Sequence, residues 1–239
     1  MQFTKALLTS VVVATQLPDE SIVMTDSFEG IPRAVARYGL DISTTLSVSA
    51  ADCFKNYGYD WIAPRAYESI GAVDTQVCTS LKNADTAGFS LRDAYMFPCP
   101  TCSKSAATQV SEAISHLNGC GTGVWSKWLW LDIEAASLWK GSSTANRSWY
   151  QQLVDACNSH AGVTCGIYGS YYQWEDIFGS AGYCYGSNLP LWYAHWDNSI
   201  SFNDYSNLEF GCWKTPYAKQ YVGDTTLCGM GIDKDYVRP

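Results

Sequence analysis

The chain has 239 residues, of which 47% are hydrophobic, and this is enough to bury a full core as one domain of the barrel or sandwich size class. Its net charge of −8 at pH 7 argues against a nucleic-acid partner, because no basic face is available to offset phosphate repulsion. The same charge repels anionic polymers at neutral pH, so a polyanionic substrate is expected to bind more easily at acid pH.

The first 36 residues are predicted to be export and processing segments. Lys5 precedes an apolar run at 6–14 that is too short to cross a bilayer, so residues 1–16 are interpreted as a signal peptide. Residues 17–36 are interpreted as an N-terminal arm or short pro-segment, and residues 37–239 as a single domain. No later apolar stretch is long enough for a membrane span, and no hydrophobic tail suggests a lipid anchor, so we expect no membrane partner.

Ten cysteines, an even number, favour disulfides in an oxidising compartment. Zinc binding is the rival explanation, but Cys99 and Cys102 form the only Cys-x2-Cys pair and the three histidines lack ligand spacing. We therefore expect a secreted, lysosomal or phagosomal protein with no metal and no cofactor. The connectivity of the disulfides is not readable from the sequence. In an exported protein, Asn146-Arg147-Ser148 is an N-glycosylation sequon.

Strand-like and helix-like segments alternate over most of the chain. Ser49 and Ser103 are predicted to cap the first and third helices. The predicted strands are 37–43, 61–67, 89–97, 128–134 and 164–168, and the helices that follow them are 50–57, 74–87, 104–117, 144–159 and 172–178. Three further strands, at 189–196, 218–222 and 231–237, have no credible helices between them. This order predicts an α/β barrel with a mainly parallel sheet, closed at the end by β-structure.

The run 127–134 (KWLWLDIE) is an apolar strand that ends in two carboxylates one residue apart. Successive strand side chains point to opposite faces, so Asp132 and Glu134 share one face, roughly 6–7 Å apart at the backbone. Paired acids of this kind suit acid-catalysed group transfer, although a solvated edge strand is the more frequent explanation of a single instance. In a parallel barrel, catalytic groups lie at the C-terminal ends of strands, where Asp41, Asp132 and Glu134 are predicted to be.

Aromatic residues recur along the whole chain, with ten Trp and sixteen Tyr. A Trp- and Tyr-rich core explains this composition. A carbohydrate cleft explains it equally well, because flat rings stack on sugar faces while Tyr hydroxyls and Trp N–H groups supply hydrogen bonds.

Seven segments in register resemble glycoside hydrolase family 25, the Chalaropsis-type lysozymes, and in particular their invertebrate and protist branch. They cover the chain from about residue 37 to its end. The segments are YGLDIS (38–43), YMFPCP (95–100), WLDIE (130–134), GIYGS (166–170), LWYA (191–194), KQY (219–221) and GIDKD (231–235).

The resemblance implies a disulfide-stabilised, TIM-barrel-like (β/α)5β3 barrel that cleaves the β-1,4 bond between N-acetylmuramic acid and N-acetylglucosamine in bacterial peptidoglycan. It implies that Glu134 is the general acid and Asp132 its partner, with Asp41 and Asp233 as two further acids. The positions that match the family's cleft lining are Tyr95, Tyr168, Tyr193 and Gln220. Arg65 stands where many bacterial members have Lys, and the loop around Cys99 and Cys102 also departs from the bacterial pattern. We expect a monomer.

Glycoside cleavage needs an acid for the leaving oxygen and stabilisation of an oxocarbenium-like centre. Asp132 and Asp41 are expected to raise the pKa of Glu134 by like-charge repulsion. Asp132 either attacks as a nucleophile or orients the substrate's own 2-acetamido group. We favour acetamido assistance, since other N-acetylhexosamine hydrolases use Asp-x-Glu on one strand in that way, and we expect net retention of configuration.

Two other functions fit parts of the sequence. Family 18 chitinases carry Asp-x-x-Asp-x-Asp-x-Glu, but Trp130 and Lys127 stand two and five residues before Asp132, so chitin is a secondary substrate at best. A non-catalytic sugar-binding barrel suits the aromatics, but the four acids argue against it. His195 and Glu68 are assigned no catalytic part.

Overall fold

Eight strands close into a barrel at the centre of the computed structural model, which describes residues 37–139 and 141–238. The predicted signal peptide and N-terminal arm lie outside the described residues. The strands are β1 Arg37–Ile42, β2 Tyr59–Glu68, β3 Ala72–Val73, β4 Leu91–Arg92, β5 Ala94–Met96, β6 Trp128–Ile133, β7 Thr164–Gly169, β8 Leu191–Ala194, β9 Ala218–Leu227 and β10 Met230–Val237. The helices are α1 Val48–Asn56, α2 Val77–Thr86, α3 Ala106–Gly119, α4 Ser143–Asn158 and α5 Tyr171–Phe178.

The barrel closes where β1 pairs with β2. The strand order around it is β1-β10-β9-β8-β7-β6-β5-β2, and β3 and β4 are short strands that pair with β2. All neighbouring barrel strands are parallel except β10, which runs antiparallel to β1 and β9. Helices α1–α5 follow β1, β2, β5, β6 and β7, and no α-helix follows β8 in the described chain. The predicted (β/α)5β3 barrel is therefore confirmed.

Strand β6 shows how the sequence separates the inside of the barrel from the outside. Its six residues are all buried. Leu129, Leu131 and Ile133 face outward and join the apolar layer beneath the helices. Trp128 and Trp130 alternate with them and join the aromatic cluster inside the barrel, so Asp132 faces inward directly above these indoles.

Three indoles fill the lower interior of the barrel. Trp61, Trp130 and Trp192 meet edge to face, with ring centroids 5.2–6.3 Å apart. Two of them lie flat on glycine backbone: a Cβ at Gly39 would stand 2.2 Å from Trp61, and one at Gly166 would stand 2.4 Å from Trp130. Only glycine leaves room for the rings at these two strand positions.

The indole N–H groups of Trp61 and Trp130 need acceptors inside the barrel. Asp93, between β4 and β5, is fully buried and accepts hydrogen bonds from Trp61 Nε1 at 2.9 Å and Trp130 Nε1 at 3.0 Å. Because these N–H groups would otherwise lie unpaired in an apolar interior, Asp93 is a structural carboxylate of the barrel.

All ten cysteines, which lie within the described residues, form disulfides, so the disulfide interpretation is confirmed over zinc. The pairs are Cys53–Cys228, Cys78–Cys120, Cys99–Cys102, Cys157–Cys165 and Cys184–Cys212. The Cys53–Cys228 bond joins α1 to the turn between β9 and β10. It therefore ties the start of the barrel to its closing hairpin.

The structure corrects several local expectations. Ser47, not Ser49, caps α1 by accepting a hydrogen bond from Ala50 N at 3.1 Å. Ser105, not Ser103, caps α3 in the same way. The third predicted strand is two short strands, β4 and β5, and β9 extends to Leu227. None of the helices in the described ranges is long and apolar enough to cross a membrane.

The sequon is also corrected, because Asn146 is not a surface residue. Its side chain is 3% exposed on the buried face of α4, and its Nδ2 donates to Ile177 O at 2.8 Å. A glycan on that nitrogen would require the helix to leave its packing position, so the folded domain does not offer this site for modification.

Candidate active site

Four acids converge at the C-terminal ends of the parallel strands. Asp41 lies near the end of β1, Asp132 near the end of β6, and Glu134 one residue beyond β6. Asp233 lies on β10 directly beside Asp41 in the strand register. Because β10 runs antiparallel, its N-terminal half lies at the end of the barrel where the parallel strands finish.

The chain turns sharply after Glu134. Ala135 has left-handed backbone angles (φ 52°, ψ 67°), which L-residues other than Gly, Asn and Asp rarely adopt. Two hydrogen bonds hold this turn: Trp139 Nε1 to Glu134 O at 2.9 Å, and Leu138 N to Ala135 O at 2.8 Å. The buried Trp139 therefore fixes the backbone from which Glu134 projects.

Gln220 links two of the acids to two aromatic rings. Its Nε2 donates to Asp41 Oδ2 at 2.8 Å and lies 3.4 Å from Asp233 Oδ2. Its Oε1 accepts from Tyr168 OH at 2.8 Å and from Trp196 Nε1 at 2.7 Å. A buried amide with every group engaged is a fixed part of the site.

Burial and mutual repulsion favour the protonated forms of the acids. The pKa of Asp132 is raised well above its usual range by burial first, and then by Glu134, Asp41 and Asp233. The pKa of Glu134 is raised by burial first, and then by Asp233 and the exposed Asp224. The pKa of Glu134 is raised as expected, and its repulsion with Asp132 and Asp41 contributes to the raised pKa values of those two buried acids.

Asp132 and Glu134 differ in exposure and in hydrogen bonding. Asp132 is 5% exposed, and its Oδ1 is a buried acceptor without a hydrogen-bond partner. Such an atom is costly in a folded protein and is expected where a ligand group will supply the missing donor. Glu134 is half-buried and therefore reachable by a substrate.

Asp235 is an acid of the site that the sequence reasoning missed. It is fully buried on β10, accepts from Trp192 Nε1 at 3.0 Å and is hydrogen-bonded to Asp41. Burial first, then the charges of Asp41 and Asp233, raise the pKa of Asp235 well above its usual range. Two facing buried carboxyls share a proton. The sequence does contain a pattern that marks Asp235: Asp233 and Asp235 are two residues apart, as Asp132 and Glu134 are.

The four predicted binding residues separate into two groups. Tyr95, Tyr168 and Gln220 face the barrel interior beside the acids, and the pKa of Tyr95 is raised by burial and then by Asp41 and Asp132. Tyr193 lies on the outer face of β8, where its hydroxyl donates to Asp204 Oδ1 at 2.9 Å. Its part in substrate binding stays a prediction.

Arg65 lies beside the acids, and its positive charge offsets a small part of the rise in the pKa of Asp132. Its Nε bonds Asp74 Oδ2 at 3.0 Å, and its Nη2 bonds Ser43 O at 3.3 Å. These bonds hold the guanidinium near the site, so Arg65 is available to offset negative charge there.

Two clusters of the described chain have donor atoms close enough together for a metal, but neither set is free. Cys78 and Cys120, beside His116, are joined to each other as a disulfide. A second cluster consists of His195, Asp197 and Asp204. Its carboxylates already hold the fully buried ammonium of Lys219, at 2.8 Å from Asp197 and 3.1 Å from Asp204. We call Lys219, Asp197, Asp204 and His195 the lysine cluster.

The chain is similar to known lysozymes over most of its length. A family model described as lysozyme-like protein 1 matches residues 32–221. Probable GH family 25 lysozyme 2 of Dictyostelium discoideum is 40% identical over 198 residues, covering 83% of this chain and 89% of that protein. Lysozyme-like protein 5 of Caenorhabditis elegans is 38% identical over 207 residues, covering 85% and 93%. A solved muramidase from Trichobolus zukalii has a TM-score of 0.64 at 25% identity, covering 85% of this chain and 94% of that one.

The barrel, its acidic mouth and these relatives define a glycoside hydrolase of the lysozyme class. The chain belongs to glycoside hydrolase family 25. The family predicted from the seven sequence segments is therefore confirmed, as is the prediction that the protein is an enzyme.

Proposed function

We propose that the protein is an N-acetylmuramidase that hydrolyses the β-1,4 bond between N-acetylmuramic acid and N-acetylglucosamine in bacterial peptidoglycan, with net retention. The observation that carries the proposal is the unlike pair at the C-terminal end of β6: a half-exposed Glu134 with a raised pKa, and a buried Asp132 with an unpartnered oxygen. The family relationship and the inward-facing Tyr95 and Tyr168 support a saccharide substrate.

In the first step, Glu134 donates its proton to the glycosidic oxygen as the bond from that oxygen to C1 breaks. The carbonyl oxygen of the substrate's 2-acetamido group attacks C1 and forms an oxazolinium ring. The free Oδ1 of Asp132 accepts the acetamido N–H and holds the group in position for attack.

In the second step, the ionised Glu134 takes a proton from water while the water oxygen attacks C1. The C1–oxygen bond of the oxazolinium ring breaks, and the acetamido group is restored. Two displacements at C1 give net retention. Glu134 is again protonated, so the cycle closes with no group consumed other than water.

Mass spectrometry of the products from purified peptidoglycan tests the bond that is cleaved. A reducing-end muramic acid is expected. A reducing-end glucosamine would indicate the other glycosidic bond, and binding to cell walls without release of any fragment would indicate a non-catalytic sugar-binding barrel. Release of fragments from chitin at a comparable rate would instead favour the chitin-directed hydrolase.

The acetamido mechanism has its own test. A thiazoline mimic of the oxazolinium ring is expected to inhibit hydrolysis competitively, and NMR of the first-formed product is expected to show the retained anomer. An inverted anomer would rule out both acetamido assistance and a nucleophilic Asp132. Retention without thiazoline inhibition would favour the nucleophilic Asp132.

Glu134→Gln tests the proton donor. We expect a loss of on the order of 10²–10⁴-fold in the hydrolysis rate, because the amide has no acidic proton to give to the leaving oxygen. Turbidity of bacterial walls and release of reducing ends measure the rate. The matched control is Glu175→Gln on the exposed face of α5, which should retain full activity. A rate loss of only a few-fold for Glu134→Gln would assign the proton to another acid.

For the compartment, we propose secretion or delivery to a lysosome or phagosome. The five disulfides support an oxidising environment. The raised pKa values of the site acids suit an acidic one. Fractionation with an antibody against the native protein would test this, and a cytosolic pool alone would contradict it.

A further inference from the structure

Trp196 is a large aromatic side chain that is exposed and yet rigidly held. Its side chain is 57% exposed in the loop that follows β8. A free indole in a surface loop would lose side-chain entropy when a ligand fixed it, whereas a ring already held in place presents its face at little cost.

Two contacts fix the ring itself. Its Nε1 donates to Gln220 Oε1 at 2.7 Å. Its inner face lies against β9 at Gly223, where an added Cβ would stand only 2.2 Å from the indole. Any other residue at this position would push the ring away from the strand.

The loop that carries Trp196 is fixed on both sides of it. His195 N donates to Gln220 O, and Asn198 N donates to Tyr221 O, each at 3.0 Å, so the loop is pinned to β9. Behind it, the lysine cluster holds Asp197 through the ammonium of Lys219, and His195 Nδ1 lies 2.7 Å from Asp204 Oδ2. The ammonium of Lys219 is fully buried and hydrogen-bonded to both carboxylates and to Ser201 O, so it holds the base on which the ring rests.

The position of the ring relative to the acids identifies the ligand. Gln220 bonds Trp196 through its oxygen and Asp41 through its nitrogen, so the indole lies one side chain away from the acids. A flat apolar face beside polar groups fits a pyranose ring, which presents C–H groups on one face and hydroxyls at its edge. Because the barrel mouth around it is acidic, an uncharged ring face is favoured over an anionic group.

We propose that Trp196 is a stacking platform for an N-acetylhexosamine ring next to the bond that is cleaved, and that it selects saccharide chains over single sugars. The proposal rests on the proposed function for its substrate, since it places that substrate's neighbouring ring. The exposed face of the indole bears the sugar, and its N–H aligns Gln220 between the platform and the acids.

Binding to an inactive enzyme tests the platform separately from catalysis. In the Glu134→Gln background, calorimetry measures affinity for two probes: peptide-free glycan strands from peptidoglycan, and the β-1,4-linked tetrasaccharide of N-acetylglucosamine. Trp196→Ala in this background is expected to weaken binding of at least one probe about tenfold or more. Trp196→Phe keeps a ring and removes the N–H, so its affinity should lie closer to that of the parent.

Tyr57→Ala is the matched control, because Tyr57 is 66% exposed at the C-terminal end of α1, away from the barrel mouth, and should bind as the parent does. Equal losses for Trp196→Ala and Trp196→Phe would mean that the N–H alone acts, through Gln220, and would overturn stacking. Unchanged affinity in Trp196→Ala, or no binding of either probe by the Glu134→Gln parent, would also overturn it. Failure of the proposed function appears separately, in the products of the wild-type enzyme.

Discussion

Gln220 determines how the acids around it are arranged. Its amide nitrogen faces Asp41 and Asp233, and its amide oxygen faces the donors Tyr168 and Trp196. Reversing the amide would set its nitrogen against the N–H of Trp196, which cannot accept a hydrogen bond, so the orientation is fixed. Gln220 therefore adds no charge to the site but fixes where the charges are.

Asp224 is an exposed acid whose charge raises the pKa of Glu134. We expect Asp224→Asn to lower that pKa, so the alkaline limb of the kcat/KM profile should move to lower pH while the maximal rate changes little. The hydrogen bond from Asp224 N to Asp233 Oδ1, 2.6 Å long, comes from the backbone and is kept. Rate measurements across pH 4–9 would check the shift.

The matched control for Asp224→Asn is Asp176→Asn, which removes an equally exposed acid on α5. Its alkaline limb should coincide with that of the wild type. If neither variant shifts the alkaline limb of the kcat/KM profile, or if Asp224→Asn shifts it to higher pH, Asp224 does not raise the pKa of Glu134 electrostatically.

Asp235→Asn is expected to stabilise the fold at neutral pH. The pKa values of Asp235 and Asp41 are raised in the folded state, while an unfolded Asp titrates near about 3.9. The protonated groups therefore contribute their full stabilisation of the folded state below about pH 4. This stabilisation is lost as the pH rises through the pKa values that the groups have in the folded state. An amide keeps an acceptor for Trp192 and gains a donor for Asp41, so the Tm of the variant should exceed that of the wild type.

The Tm difference between Asp235→Asn and the wild type should therefore depend on pH. It should be near zero at pH 4 and largest at pH 7–8, as measured by differential scanning fluorimetry. A difference that is constant with pH would mean that packing, rather than shared protonation, accounts for it. A destabilised variant at pH 7 would show that the buried pair is not strained by its charges.

Among single residues, the acids that lie in a strand pattern or a family motif could be predicted from the sequence. Residues whose role depends on tertiary contacts could not. Asp41, Asp132, Glu134 and Asp233 converge as predicted from their strands. Asp224 acts across a strand irregularity in the β9–β10 pair, which no period-two pattern predicts. The fixed position of Trp196 follows from its contacts with Gly223 and Gln220, which are distant from it in the sequence.

At the scale of elements, the β9–β10 hairpin carries much of the site. It contributes Gln220, Asp224, Asp233 and Asp235, and it closes the barrel against β1. Strands β1, β6 and β7 are each followed by an α-helix, whereas no α-helix follows β9 or β10 in the described chain. The turn of the hairpin is instead tied to α1 by Cys53–Cys228.

Removing this tie with Cys53→Ala and Cys228→Ala should cost more stability than removing a short one. In the chain-entropy model, the bond spanning 175 residues contributes about 5 kcal/mol, against about 2.5 kcal/mol for Cys157–Cys165, which spans 8. Urea unfolding of the two double variants would measure the difference. Because the hairpin carries Gln220 and Asp233, the first variant should also lose activity below its unfolding midpoint, whereas the Cys157→Ala, Cys165→Ala control should not.

Equal losses in the two variants would show that strain or residual unfolded structure outweighs the loop-closure entropy. Retained activity in the Cys53 and Cys228 variant up to global unfolding would show that sheet pairing alone positions the hairpin.

The order of the five helices and of the barrel strands could be predicted from the sequence, but their ends and the short strands β3 and β4 could not. Apolar periodicity and breaks at Gly and Pro located all five helices. Ser47 and Ser49 are equally good caps by residue type, and only the hydrogen bond to Ala50 decides between them. The extension of β9 beyond residue 222 has a polar sequence, and it is held by pairing with β10 rather than by its own propensity.

For the whole molecule, the net charge of −8 predicts how the rate depends on salt. Cell walls rich in anionic groups should repel the enzyme at pH 7, and the Debye length falls from about 30 Å at 0.01 M salt to about 8 Å at 0.15 M. We expect hydrolysis of intact walls to speed up over this range, while hydrolysis of uncharged, peptide-free oligosaccharides stays constant. A rate on walls that falls with added salt would show that a local positive region, such as that around Arg65, governs encounter instead.

The three indoles inside the barrel, two of which lie on Gly39 and Gly166, determine how a substrate can reach the acids. With Asp93 bonded beneath them, they seal the barrel at the end away from the acids, so nothing passes along its axis. Substrate and product therefore use the same opening of the barrel, and a long glycan strand binds across that opening. The barrel therefore does not require a free end of the glycan. Bonds in the middle of a glycan strand are as accessible to the acids as bonds at its ends.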